Sequence, residues 1–577
     1  MPPPPPTPTP DHHSTLSRAV RATSLMTLAS RFGGLARDIL VGRIFGATLT
    51  GSAFAAAFAI PNMFRRLFGE GALSAAFIPE YTKAHASDPA EANKLASLTV
   101  CALGLVTGAL TLIIEFALLL ILLLAPHDPE RALSLRLIMV MLPFMPFICI
   151  VAILAGMLQV HGKFAAAASG PLILNTFIII VGVWSLLSGS LAGETTAYIL
   201  GIATVLSGIT QTLWFFRLLS PHVSWTRAWS SVRPRAVNML RKFVPVAIGL
   251  GTLQLNTLLD TLIAMWPTWV GPTMFGRPYP LDQSSNAILS LTARLYQFPL
   301  GVFGIAVASA AFPLLARHAD NHAHFTDTLR RGLRLSLFIG LPATIGLVLI
   351  RNDAVAVLFG GGRTGWSAAH LDRAAAVLMG FSIAIWAYSL NQVFTRAFYA
   401  KQDTRTPMLV SIAMMLLNIA LNLTLIWIPG VRESGLAWAT AVSAVIQSFV
   451  LWFLCERMLR ATLPAASSQE PTPPRSATRI FDPAMIRAAV KVAAASAVMG
   501  LLVYLLLTTL PTTSPLAAHT QLPHWLTGQW PWWLARTLSG TFIGALAYLA
   551  LSRALHIPEL HWLTHRSSRP DTSSRPE

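Results

Sequence analysis

The sequence predicts an all-α polytopic membrane protein with about fourteen transmembrane helices, set out as two six-helix lobes followed by two C-terminal helices. Three observations lead there. The chain has 577 residues, of which 54% are hydrophobic and only 11% charged, less than half the charged share of soluble proteins, and its mean hydropathy is +0.59. Hydrophobic segments long enough to span a bilayer centre near residues 35, 58, 108, 145, 177, 205, 252, 300, 340, 385, 415, 445, 495 and 544. The third observation is an internal repeat. SAAFIP at 74–79 returns as SAAFP at 309–313, and the polar turn at 159–164 leading to Asn175 returns as 401–407 leading to Asn418, an offset of about 235–243 residues. Each unit holds an even number of spans, so the repeat is parallel. This composition excludes an ordinary soluble enzyme and a disordered chain.

In chain order, a proline-rich tail over 1–16 is expected to be disordered and lacks the features of a signal peptide. An N-lobe over 17–220 and a C-lobe over 221–460 follow. A Pro/Ser/Arg linker at 461–480 precedes the extra pair at 481–556, and a polar tail over 557–577 is again expected to be disordered. The net charge of +18 does not point to nucleic acid, because cytoplasmic loops of membrane proteins are rich in Lys and Arg. The loops around 217–242 and 317–334 hold six and four of them, and the bias between loop parities is roughly 20 to 8. Both termini are therefore expected in the cytoplasm. The three cysteines, Cys101, Cys149 and Cys455, sit in apolar runs and suggest neither a metal site nor a disulfide network.

The chemistry concentrates on arginines inside spans. Arg31 and Arg37 lie in the first, Arg65 and Arg66 end the second, and Arg294 lies in the eighth. An arginine at mid-membrane costs about 2.5–3.5 kcal/mol, so three together cost roughly 8–10 kcal/mol. Asp38 and Glu70 can offset part of this: Arg31 and Asp38 share a helix face, as do Arg66 and Glu70. One reading is snorkelling or structural ion pairing. The other is a hydrated cationic cavity for an anion, since a guanidinium fork matches phosphate. Pro61, Pro299 and the nearby glycines suggest helix breaks, tolerated where backbone lines a cavity. Asn256 and Asp260 share one helical face, and so do Asn418 and Asn422. Their oxygens suit sodium or a proton, and interhelical hydrogen bonding is the plain alternative. No HExxH, GxSxG or Walker motif is present, so an enzyme is not expected.

SRFGGLARDILVGRIFGA, FAIPNMFRRLFGEGALSAAFIP, ARLYQFPLGVFGIAVASAAFP and FYAKQDTRTP closely resemble the bacterial lipid II flippase family, MurJ or MviN, over about residues 20–556. The resemblance implies the MOP transporter fold, two lobes in a MATE-like V, in the inner membrane. It implies flipping of lipid II, the undecaprenyl-diphosphate-linked disaccharide pentapeptide, to the periplasmic leaflet by alternating access. Arg31, Arg37, Arg65 and Arg294 match the family's substrate-binding arginines, and Asp38, Arg66, Glu70, Ser52 and Gln297 fall at supporting or gating positions. The extra helix pair matches the groove that carries the lipid tail. Asp260, Asn418 and Asn422 match a sodium site found in some members. This chain departs from many relatives by having Ser52, Ala293, Gln297 and Asn422 where acids occur. A monomer is expected, partnered by membrane lipids and its substrate, with no cofactor beyond sodium or membrane-potential coupling. The alternative functions are a flippase for another polyprenyl-diphosphate-linked saccharide and a multidrug exporter of the same superfamily.

Overall fold

The computed structural model describes residues 10–68, 72–124, 128–189, 193–360, 365–461, 480, 482–515 and 529–564. It is helical throughout, apart from one short antiparallel hairpin pairing Thr273–Met274 with Arg277–Pro278. In lipid no water satisfies an exposed backbone group, so long helices that close their own hydrogen bonds are the economical solution.

The helices run in order α1 Pro10–Phe45, α2 Leu49–Phe68, α3 Ala72–Ser87, α4 Pro89–Leu124, α5 Pro129–Met141, α6 Phe144–Val160, α7 Phe164–Ala167, α8 Gly170–Ser188 and α9 Gly193–Leu219. Then come α10 Arg233–Ala264, α11 Trp266–Trp269, α12 Ser285–Pro299, α13 Ile305–Arg317, α14 His322–Phe359, α15 Ala368–Ser382, α16 Ile385–Ala400, α17 Arg405–Leu425 and α18 Ser434–Ala461. The last three are α19 Pro483–Thr509, α20 Gln529–Ala554 and α21 Pro558–Thr564. All fourteen expected span centres fall on helices. Among the described residues ten spans are long and apolar enough to cross a membrane, α5–α6 and α15–α16 each counting as one. The spans outside those ten are α1, α2, α10 and α12–α13, the ones that carry the arginines and Asp260.

The chain divides into two compact units, Met1–Leu291 with Gly362–Gly365, and Thr292–Gly361 with Trp366–Glu577. The boundary between these units falls in α12, after the seventh span. The reason lies in polar bonds that tie the seventh span and its following loop to the first unit. Arg235 Nη1 meets Glu91 Oε2 at 3.1 Å, Trp269 Nε1 donates to Ser134 Oγ at 2.9 Å, and Gln283 donates to Glu130. α10 also packs along α2 and α3.

Within the first unit α6 packs on α4 and α9, α1 on α8, and α2 on α5. Its core holds Phe77, Tyr81, Phe144, Met145, Leu154 and Phe215. In the second unit α14 is the central element, packed by α16, α19 and α20, and α17 packs on α18. The extra pair α19–α20 therefore has a seat on α14. Arg536 of α20 is buried there, donating to Asp353 Oδ1 at 3.0 Å and to the carbonyls of Leu510 and Pro511 at 2.6 and 2.9 Å.

The repeat extends to backbone detail. The turn after α6 needs a left-handed residue, Gly162 at φ +73°, and the matching turn after α16 places Gln402 at φ +61°. Helix reaches into both segments read from the sequence as tails. α1 already begins at Pro10, inside the expected 1–16 tail, and residues 1–9 lie outside the described residues. In the second tail, Pro558–Thr564 is a helix because Glu559 is fully buried against Arg334, with the Trp562 ring 5.1 Å from that guanidinium. The remainder of that tail, from 565, and nearly all of the 461–480 linker lie outside the described residues.

Candidate functional site: the arginine-bearing helices

Arg37 is held on three sides. Its Nε and Nη2 donate to Asp38 Oδ1 at 3.0 and 2.7 Å, and Nη1 donates to Asn175 Oδ1 on α8 at 3.1 Å. The guanidinium lies 5.2 Å from the Phe58 ring centroid of α2, within cation–π range. Asn175, only 4% exposed, uses its Nδ2 to reach the Ser30 carbonyl at 3.1 Å. A Cβ at Gly33 would sit 3.4 Å from that amide nitrogen, so the glycine lets α8 come close. The glycines expected to break α1 instead serve packing, and α1 is continuous. The ion pair seen at Asp38 is with Arg37, its chain neighbour, where the sequence paired it by face with Arg31. Arg31 is half-buried on the same helix.

Arg65 is half-buried near the end of α2 and donates from Nε to Asn62 Oδ1 at 2.9 Å. Asn62 is three residues earlier, on the same face, a spacing legible in PNMFRR but not singled out from it. Pro61 lies inside a continuous α2, so no break occurs there. Arg66 is half-buried beside Arg65. Glu70, with Gly69 and Gly71, lies outside the described residues. Ser52 is fully buried: its Oγ accepts from the Ala287 backbone N–H at 3.0 Å, and its carbonyl accepts from Asn286 Nδ2 at 2.8 Å. Ser52 thus satisfies an orphan N–H in the first turn of α12. A carboxylate at this position can accept the same bond.

Asp260 is half-buried on α10, one turn after Asn256, whose Oδ1 is buried without a hydrogen bond among the described residues. In the second unit, Arg294 and Gln297 are half-buried one turn apart on α12. Tyr296 between them stacks on Phe381 at 4.5 Å and approaches Tyr388 at 5.6 Å, fixing this half of α12 against α15 and α16. After Pro299 the helix widens into a π turn, Leu300–Gly304, so the expected break does occur in this span. Asn418 and Asn422 are buried, and Asn422 Nδ2 donates to Asn418 Oδ1 at 3.0 Å. Asn418 Nδ2 lies 3.3 Å from Thr440 Oγ1 on α18. The three side chains offer neutral oxygens, a donor type that suits a hard monovalent cation. Among the described residues no group of three or more His, Cys, Asp and Glu is placed to hold a metal.

Ten apolar spans among the described residues, with half-buried guanidinium groups on the more polar helices beside them, define a multi-pass α-helical membrane protein. Residues 41–520 match the family described as "Lipid II flippase MurJ", and the chain belongs to that family. A probable lipid II flippase MurJ of Vibrio cholerae is 33% identical over 447 residues, covering 74% of this chain and 81% of that protein. The lipid II flippase MurJ of Burkholderia cenocepacia is 28% identical over 456 residues, covering 76% and 83%. A solved lipid II flippase MurJ in an inward closed conformation superposes with TM-score 0.70 at 22% identity, covering 92% of this chain and 99% of that one. An inward-facing MATE transporter of the MOP superfamily gives TM-score 0.62 at 13% identity, covering 76% and 98%. These two likenesses establish a shared fold.

Proposed function

We propose that this chain flips lipid II from the cytoplasmic to the periplasmic leaflet of the inner membrane by alternating access. The observation that carries the reading is the set of half-buried guanidinium groups, Arg31, Arg37, Arg65 and Arg294, on spans too polar to stand among the apolar ones. Keeping such groups in a membrane is costly without a function, and a diphosphate is their natural ligand. Arg37 is pre-oriented by Asp38 and Asn175, and Arg65 by Asn62, so little ordering entropy remains to be lost on binding. The termini lie in the cytoplasm, by the basic loops. The polyprenyl tail stays in hydrocarbon along α19–α20, whose outward faces expose Leu501, Leu505, Leu538 and Phe542. The chain acts as a monomer and performs no covalent chemistry.

Energy enters through the membrane potential or sodium. An inside-negative potential favours outward anion movement by about 2.3 kcal/mol per charge per 100 mV, a benefit lost where arginines travel with the headgroup. Sodium would be held by Asp260, Asn418 and Asn422 through carboxylate and amide oxygens. The test is an alanine series at Arg31, Arg37 and Arg294 in a flippase-depleted strain, scored by growth and by the leaflet that holds lipid II. Loss of complementation with precursor trapped on the cytoplasmic side is expected. Full complementation by all three variants would sink the anion-site reading.

A further inference from the structure

Beyond the arginines assigned above, the first unit holds a cavity lined by two arginines and two carboxylates. This cavity of about 380 Å³ opens where α4 stops and α5 and α9 begin, inside the ~300–1,000 Å³ range of small-ligand sites. Ile121, Leu122 and Leu133 form its apolar wall, and Arg131, Arg136, Glu194 and Tyr198 its polar one. Arg131 Nε is buried with no hydrogen bond among the described residues, and its Nη2 only reaches the Val270 carbonyl at 3.5 Å. Asp128, also in the lining, is occupied in capping α5, accepting from the Glu130 and Arg131 N–H groups. Glu194 is the more exposed carboxylate of the lining. Below the cavity the outward side of α4 is an apolar strip, with Leu112, Ile113, Phe116 and Leu123 each about two-thirds exposed.

We propose that this cavity binds the head of a diacyl phospholipid carrying both a phosphate and a primary ammonium. The phosphate takes donors from the guanidinium groups of Arg131 and Arg136, both part of the cavity lining. The ammonium donates to Glu194 and the Tyr198 hydroxyl, and the acyl chains lie along the apolar side of α4. The charges select among lipids. A purely anionic head leaves Glu194 facing like charge, and a quaternary head has no N–H to offer it.

The experiment is native mass spectrometry of the full chain in detergent with equimolar 1-palmitoyl-2-oleoyl phosphatidylethanolamine and phosphatidylglycerol. Arg136 and Glu194 are exposed, so Arg136→Ala and Glu194→Gln leave the core intact, and an unchanged thermal midpoint verifies it. The unaltered chain is expected to retain phosphatidylethanolamine over phosphatidylglycerol by about three- to fivefold, the size an exposed ion pair contributes. Glu194→Gln brings the ratio to parity, and Arg136→Ala lowers retention of both lipids. Equal retention of the two lipids by the unaltered chain, a ratio unmoved by Glu194→Gln, or adducts unchanged in Arg136→Ala would each overturn the proposal. None of these outcomes bears on lipid II transport, which is scored separately.

Discussion

Asn175→Ala should loosen Arg37, and the structure sets the size of the effect. The substitution deletes two hydrogen bonds, one from the Arg37 Nη1 at 3.1 Å and one to the Ser30 carbonyl at 3.1 Å. A bond involving a charged partner contributes about 1.5–3 kcal/mol and a neutral one about 0.5–1.5 kcal/mol in soluble proteins. Inside membranes interhelical bonds average only about 0.6 kcal/mol, with a maximum near 1.7 kcal/mol. The expected loss is therefore about 1–3 kcal/mol, with the Arg37 bond the larger share. A double-mutant cycle isolates it. Arg37→Ala, Asn175→Ala and the pair are compared by equilibrium unfolding of the full chain in mixed micelles, and a coupling of about 1–2 kcal/mol is expected. The cycle of Asp38→Asn with Asn175→Ala should couple less, because Asp38 takes different nitrogens of the same guanidinium. A coupling below about 0.3 kcal/mol for Arg37 with Asn175, within the error of additivity, would refute the claim that α8 orients this arginine.

Arg536→Ala strips the buried partner from Asp353 and frees two carbonyls, so it should cost about 3–5 kcal/mol, read as a lower unfolding midpoint, and Asp353→Asn should cost less. Ser52→Ala leaves the Ala287 N–H unsatisfied and should lower stability by about 0.5–2 kcal/mol, as loss of a helix cap does; Ser52→Asp should restore part of it. His161, in the turn after α6, accepts or donates a hydrogen bond with Tyr81 at 2.9 Å and is ringed by His85, His222 and Lys163. Burial first, and then these neighbouring groups, push its pKa down to about 4, so the fold favours the neutral ring. Its contribution is present above the ordinary value of about 6.5 and is lost as pH falls through about 4. Thermal midpoints should drop across that window, and His161→Gln should flatten the drop.

Ten of the spans were legible in the chain because each has a stretch of about 20 predominantly apolar residues, a property local to its own segment. The cost of an arginine in hydrocarbon is local too, so Arg31, Arg37, Arg65 and Arg294 stood out without any structure. The internal repeat marked the two turns in which the structure places the left-handed residues Gly162 and Gln402. Partner choice is another matter. Helix periodicity paired Asp38 with Arg31, yet side-chain reach gave it to Arg37, and the third ligand of that guanidinium is 138 residues away on α8. The same limit hid the burial of Glu559 against Arg334, 225 residues distant, which makes a helix from part of a polar tail. It also hid the set of loop bonds that draw the seventh span into the first unit. Apolar length is written along one helix, whereas the identity of a polar partner depends on which helices pack, and only the folded chain decides that.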